Sequence, residues 1–151
     1  AELSSIEVEW LELAAGAADL VTSRMALHYV RDLASVFRSA HDTLAPDGRV
    51  LFTVTHPVIT SYDSQEPGPR TSWTVDDYFS AGERRRNWFG SEVIWFHRTV
   101  EQYLGAVLAA GFAVEAVSEC EPDPGRLADA PEELARRRRV PVILLVSARR
   151  R

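Results

Sequence analysis

Three of the four histidines stand where the chain passes from one kind of run to another: His28, His56 and His97. His56-Pro57 leaves the end of Arg49-Val50-Leu51-Phe52-Thr53-Val54-Thr55, an apolar and β-branched stretch. An imidazole at such an exit titrates in the right range to take a proton from a substrate hydroxyl or amine at neutral pH. His56 is therefore the first candidate for a base, with His28 and His97 behind it. Each has a structural alternative: His56 as a cap on the strand end, His28 as an anchor at a helix start, His97 as part of a hinge. His41, near the end of a helical stretch, reads as a partner for the helix dipole.

Other residue types exclude more than they establish. All seventeen basic residues are arginine, which removes a Schiff-base lysine, a phosphate-loop lysine and a kinase lysine. The eight glycines, at 16, 48, 68, 82, 90, 105, 111 and 125, form no glycine-rich phosphate or dinucleotide loop, and no Gly-X-Ser-X-Gly elbow occurs. Cys120 is the single cysteine and has no companions at zinc-site spacing. A formal charge of −5 speaks against a nucleic-acid or anionic-membrane partner. The longest apolar run, Val140 to Val146, is far short of the ~20 residues of a membrane span. No signal peptide is recognisable at the start, so the cytoplasm is the expected compartment.

The elements that must position the histidines are legible. Ala18 to Ser23 is short, apolar and β-branched, a strand. Arg31 to Leu44 sets Leu33, Val36, Phe37, Ala40 and Leu44 on one helical face, with Asp32 as cap. Ala45-Pro46-Asp47-Gly48 is expected to stop and turn the chain before the Arg49 to Thr55 strand. Strand, helix and strand make a right-handed βαβ crossover, whose carboxyl-end crevice is where open parallel sheets place ligands.

From Pro57 to Phe96 periodicity breaks down, yet eight of the fourteen aromatics fall there, as expected of a lid or binding insertion. Asp76-Asp77 and Arg84-Arg85-Arg86 read as a solvated face, with capture of an acidic substrate as the alternative. Glu92 to Phe96 is expected to return as a strand toward the sheet. Thr99 and Gln102 form a capping-box pattern opening a helix from Val100 to Ala110, and Gly111 ends it. Phe112 to Cys120 and Val140 to Ala148 are the last strands, around a helix opened by Pro131-Glu132-Glu133 and closed by Arg136 to Arg139.

Ala18-Asp19-Leu20-Val21-Thr22-Ser23, then Met25-Ala26-Leu27-His28-Tyr29-Val30, then Thr43-Leu44-Ala45-Pro46-Asp47-Gly48-Arg49-Val50-Leu51-Phe52 resembles a family pattern in order and spacing. The pattern is the fourth strand, following helix and fifth strand of class I S-adenosylmethionine-dependent methyltransferases, with Ala18 for the family's Phe and Asp47 for one Gly. His56-Pro57, Tyr78-Phe79, Trp88, His97-Arg98-Thr99 and Ala110-Gly111-Phe112 extend it toward a bacterial small-molecule branch.

The resemblance implies an α/β, Rossmann-like methyltransferase sheet, mostly parallel with a final antiparallel hairpin, carrying an aromatic-rich lid over residues 57–97 of one domain, 1–151. It implies S-adenosyl-L-methionine as cofactor and methyl transfer to a small-molecule acceptor. Ser23, Arg24, Met25, Leu27 and His28 would lie alongside the cofactor. Counting back from Asp19, Glu7 and Val8 match the positions that meet the adenine, although Glu2, Glu9 and Glu12 compete for the role or form a solvated loop. Tyr62, Trp73, Tyr78, Trp88 and Arg98 are the acceptor-side candidates, and no metal is implied. The family's glycine-rich loop and ribose-binding acid have no counterpart here, so the expectation is a carboxyl-terminal portion, truncated before the cofactor loop. Two rivals stand beside it. One is a non-catalytic remnant serving as an interaction or homodimerisation module through an exposed strand edge; the other is a small hydrolase or isomerase using His56 with Asp19 or Asp76.

Overall fold

The computed structural model describes residues 14–61, 72–88 and 91–151. Glu7, Val8 and Tyr62 lie outside the described residues, as does the Trp88 side chain.

Strand β1 (Ala18–Arg24) and strand β2 (Leu44–Thr55) pair in parallel, with Leu20 opposite Arg49 and Arg24 opposite Thr53. Helix α1 (Leu33–Thr43) makes the crossover, capped by the Asp32 carboxylate, which accepts the Ser35 N–H at 3.0 Å. Its apolar face buries Leu33, Val36, Phe37 and Ala40 against the sheet, as the spacing predicts.

Ala45 to Gly48 does not precede β2, as the sequence suggests, but lies inside it. Ala18 already pairs with Leu44, and the register shifts before Leu20 meets Arg49, so the Pro-Asp-Gly stretch is looped out as an irregularity in the ladder. Asp47 takes a left-handed backbone, φ 63°, and a Cβ on Gly48 would stand 2.8 Å from the Ala45 carbonyl oxygen.

Strand β6 (Ile143–Arg150) runs antiparallel beside β2, and β5 (Phe112–Glu119) antiparallel beside β6, giving the order β1-β2-β6-β5. The expected closing hairpin is present, with its last strand inserted between β2 and β5. Helix α3 (Val100–Ala109) packs on the same face as α1; Thr99 and Gln102 form the reciprocal capping box. Phe37, Phe52, Tyr103, Val107, Phe112 and Leu144 fill the layer between. Each such side chain contributes roughly 1.5–3 kcal/mol by leaving water, which fixes the strand ends in space.

Between β2 and α3 the chain forms a short helix α2 (Pro57–Thr60) and a separate hairpin, β3 (Gly82–Trp88) with β4 (Ser91–His97). β4 therefore pairs with β3 rather than returning to the main sheet. It docks through side chains: Val93 and Trp95 pack on Ile59, with Tyr29, Val58 and Trp73 around them. The three arginines 84–86 sit on a strand rather than a helical face. Arg85 pairs with Glu83 and Glu92, whereas Arg86 is buried, donates to the Ile59 carbonyl at 2.8 Å and lies over the Trp95 ring. Helix α4 (Pro131–Arg137) lies between β5 and β6 and starts on Pro131, as its composition indicates. Among the described residues no helix is long and apolar enough to cross a membrane.

Candidate functional site

Because β1 and β2 are parallel and β6 is antiparallel to β2, the ends of β1, β2 and β5 and the beginning of β6 share one rim. Three backbone bonds knit it: Met25 N–H to the Thr53 carbonyl (2.9 Å), His56 N–H to the Val142 carbonyl (2.9 Å) and Cys120 N–H to the Ile143 carbonyl (3.0 Å). Arg24, Met25, Thr55, His56 and Glu119 are thus brought to a single lip from three stretches of sequence.

At Met25 the chain leaves β1 in a left-handed conformation, φ 52°, with its N–H also reaching Thr53 Oγ1 at 3.1 Å. Holding an ordinary residue there costs of order 1 kcal/mol, and the two acceptors on one donor supply the restraint. The sharp exit leaves Ser23, Met25 and Ala26 half-buried at the lip while Leu27 and His28 turn into the core.

His28 belongs to the 3-10 turn Leu27–Tyr29 and is 2% exposed. Its Nδ1 accepts the Thr55 N–H at 3.3 Å, and its ring lies against Tyr29 and edge-on to Trp95 of the hairpin. Burial pushes its pKa down to about 4, so the ring is neutral across the physiological range. His56 caps α2: its Nδ1 accepts the Val58 N–H at 3.2 Å, while Nε2 lies 3.0 Å from Glu119 Oε1. Burial lowers the His56 pKa, and the Glu119 charge and hydrogen bond act against that. His97 is fully buried; Nε2–H donates to the Tyr78 carbonyl (2.8 Å), leaving Nδ1 to accept the Thr60 hydroxyl (2.7 Å). Burial lowers its pKa too, and the charges of Arg84, Arg86 and Arg98 add to the effect.

The three histidines therefore divide. His28 and His56 meet at the rim through adjacent residues, Thr55 and His56, whereas His97 fastens the root of the hairpin to α2. His28 and His97 engage protein groups through both nitrogens, whereas His56 is hydrogen-bonded through Nδ1 and keeps Nε2 within ion-pair distance of Glu119. Only the outer partner of His56, the 63% exposed Glu119 side chain, reaches well into solvent. Histidines as acceptors of backbone N–H groups and as hinge pins are the structural alternatives that the sequence leaves open.

Of the acceptor-side candidates, Trp73 gives its indole N–H to the Val58 carbonyl (2.8 Å), and the Tyr78 hydroxyl accepts from Val100 N–H (3.4 Å). The Arg98 guanidinium donates to the carbonyls of Val30 (2.7 Å), Arg31 (2.6 Å) and Phe96 (3.3 Å), so it clamps the hairpin root to the turn before α1. Thr55, Thr60 and Glu119 were not singled out by the sequence. Their partners lie 27, 37 and 63 positions away, and no local pattern reports such pairings. Among the described residues no group of three or more His, Cys, Asp or Glu is placed to hold a metal ion.

Residues 4–117 match the family described as Methyltransferase domain. An S-adenosylmethionine-dependent methyltransferase from Mesorhizobium loti superposes with TM-score 0.83 at 37% identity, over 93% of this chain and 65% of that one. A second, described as a putative S-adenosylmethionine-dependent methyltransferase from Listeria monocytogenes, gives 0.78 at 32% identity over the same shares. A curated but uncharacterized protein of Haemophilus influenzae is 26% identical over 144 residues, 87% of this chain and 54% of that protein. The chain thus spans about two-thirds or less of the length of these relatives.

Proposed function

Since the chain belongs to the class I S-adenosylmethionine-dependent methyltransferase family, we propose that its rim takes part in methyl transfer from S-adenosyl-L-methionine to a small-molecule acceptor. The observation that carries the reading is the common exit of β1 and β2, with left-handed Met25 pinned to Thr53 beside the buried His28. The donor set suits one flank of that cofactor. Ser23 offers a hydroxyl, Met25 offers apolar surface with Leu27 packed in the core behind it, and the neutral His28 adds no positive charge near a sulfonium. Arg24, exposed at the strand end, faces solvent beside them. Glu7 and Val8 remain the proposed adenine contacts.

The cofactor's sulfonium supplies an activated methyl group and its own leaving group. The chain's residues then have to align an acceptor and exclude water. The β3–β4 hairpin, docked on the turn that carries His28 and Tyr29, is the proposed cover, with Trp73 and Tyr78 at its approach and Arg98 and His97 holding its root. His56 is the proposed base for an acceptor that must lose a proton: Nε2–H stays directed at Glu119, and Nδ1, once released from the Val58 N–H, would take the proton, the Glu119 carboxylate stabilising the imidazolium that forms.

Calorimetric titration of S-adenosyl-L-methionine into the protein encoded by the complete reading frame tests the reading. Binding is expected, and it should weaken in Met25→Val, because a β-branched residue resists φ 52° and would remodel the lip. Binding unaffected by that change would remove the lip from the site. A second reading, a non-catalytic interaction module, draws on Leu20, 55% exposed on β1, which forms the margin of the sheet among the described residues. Concentration-dependent self-association without any cofactor heat would favour it.

A further inference from the structure

Next to the rim, on the side away from β1, lies a cavity of about 700 Å³ that the methyl-transfer lip does not use. That volume falls within the range typical of small-molecule sites, about 300–1,000 Å³. Ile59 and Trp73 form one wall and Val140 and Val142 another, while Arg136 and Arg137 from the last turn of α4 stand on its border. It is adjacent to the proposed chemistry, since Val142 is the residue whose carbonyl receives the His56 N–H.

The two kinds of surface are chemically separate. The Trp73 indole N–H is spent on the Val58 carbonyl, so what the ring offers is its apolar face. The arginines carry an excess of charge. Arg136 and Arg137 share one carboxylate, Glu133, at 2.6 and 2.5 Å, and Arg138 takes Glu121 at 2.8 Å. One carboxylate balances one of the two guanidiniums and cannot accept from all of their donors. Glu121 lines the cavity as well, but its charge is met by Arg138, so the border stays net positive; an apolar hollow with such a border matches a ligand with an apolar body and an anionic head.

We propose that this cavity seats the acceptor, and that the acceptor is an apolar small molecule bearing a carboxylate or phosphate, its head on Arg136 and Arg137 and its body between Ile59, Trp73 and Val142. This substrate class rests on the methyl-transfer reading of the rim; the cavity's preference for anions does not.

Calorimetry with phenylacetate, phenyl phosphate and neutral 2-phenylacetamide as probes, on the protein from its complete reading frame, tests the cavity directly. One or both anions should bind, and the amide roughly tenfold more weakly, the worth of one charge-assisted hydrogen bond; the stronger of the two anions identifies the head group. Arg136→Ala combined with Arg137→Ala alters two exposed side chains and should abolish the difference between acid and amide. Val142→Trp, at a 42% exposed position, should fill the cavity and weaken all three probes. Equal binding of acid and amide, an anion preference that survives the double variant, affinity unchanged by Val142→Trp, or no binding of any probe would each overturn the proposal. A parallel titration with S-adenosyl-L-methionine separates the two readings. Probe binding without cofactor binding leaves the cavity standing and removes the methyl-transfer reading; cofactor binding without probe binding does the reverse.

Discussion

His28 Nδ1 lies 3.3 Å from the backbone nitrogen of Thr55 and accepts its N–H, tying the turn after β1 to the last residue of β2. The bond requires an unprotonated Nδ1, and burial holds the folded pKa at about 4 against an ordinary 6.5. Between those values the unfolded chain binds a proton that the native chain does not. Stability is therefore full above pH 6.5 and falls as pH drops toward 4, by roughly 3 kcal/mol from this group. Urea denaturation at several pH values should register the slope. His28→Gln should flatten part of it, leaving the same-signed parts from His56 and His97.

His97 bridges Thr60 on α2 and the Tyr78 carbonyl ahead of β3. Replacing it with alanine removes both bonds and opens a void beside the buried Thr60, at a cost of roughly 2–4 kcal/mol. The hairpin root should loosen first, so amide exchange in β3 and β4 should accelerate more than in β1 and β2. A loss spread evenly over both sheets would contradict the hinge role.

The βαβ unit was legible because its signals are local: an apolar run, a 3.6-residue stripe, an aspartate cap. The capping box at Thr99 and the proline start of α4 were legible for the same reason. The hairpin was not, since β4 alone gives no sign that its partner is β3 rather than the main sheet; Val93 and Trp95 are apolar enough for either. The irregularity at Ala45 to Gly48 looked like a turn because Pro-Asp-Gly chemistry serves both a turn and a looped-out ladder residue. Strand exit put His56 at the end of β2, where the chain has it; the same reasoning put Leu27 and His28 at the rim rather than in the core, and the left-handed turn at Met25 instead carries both inward. The partners of the histidines were hidden, because Glu119 and Thr60 belong to stretches that tertiary packing brings near.

Gly48 gives a sharper test of that irregularity. A methyl group there would meet the Ala45 carbonyl oxygen at 2.8 Å and the Leu44 side chain at 3.0 Å, and backbone cannot yield cheaply. Gly48→Ala should destabilise the protein by roughly 1–3 kcal/mol, read as a shift of the denaturation midpoint with an unchanged slope. Leu44, fully buried beside it, is the residue whose packing would be displaced.

Glu119 decides whether His56 does chemistry. Its charge and its hydrogen bond both raise the His56 pKa against the lowering by burial, so Glu119→Gln should lower that pKa further. If His56 takes a proton from the acceptor, it must be neutral to act, and kcat/KM rises with pH through its pKa. The acidic limb of the profile should then move to lower pH in the glutamine variant, while the binding of S-adenosyl-L-methionine stays as it was. A histidine that only caps α2 keeps its bond to the Val58 N–H in both proteins and gives no such displacement. An unmoved limb would leave His56 as a strut between β2 and α2, and the alignment of the acceptor as the chain's whole contribution.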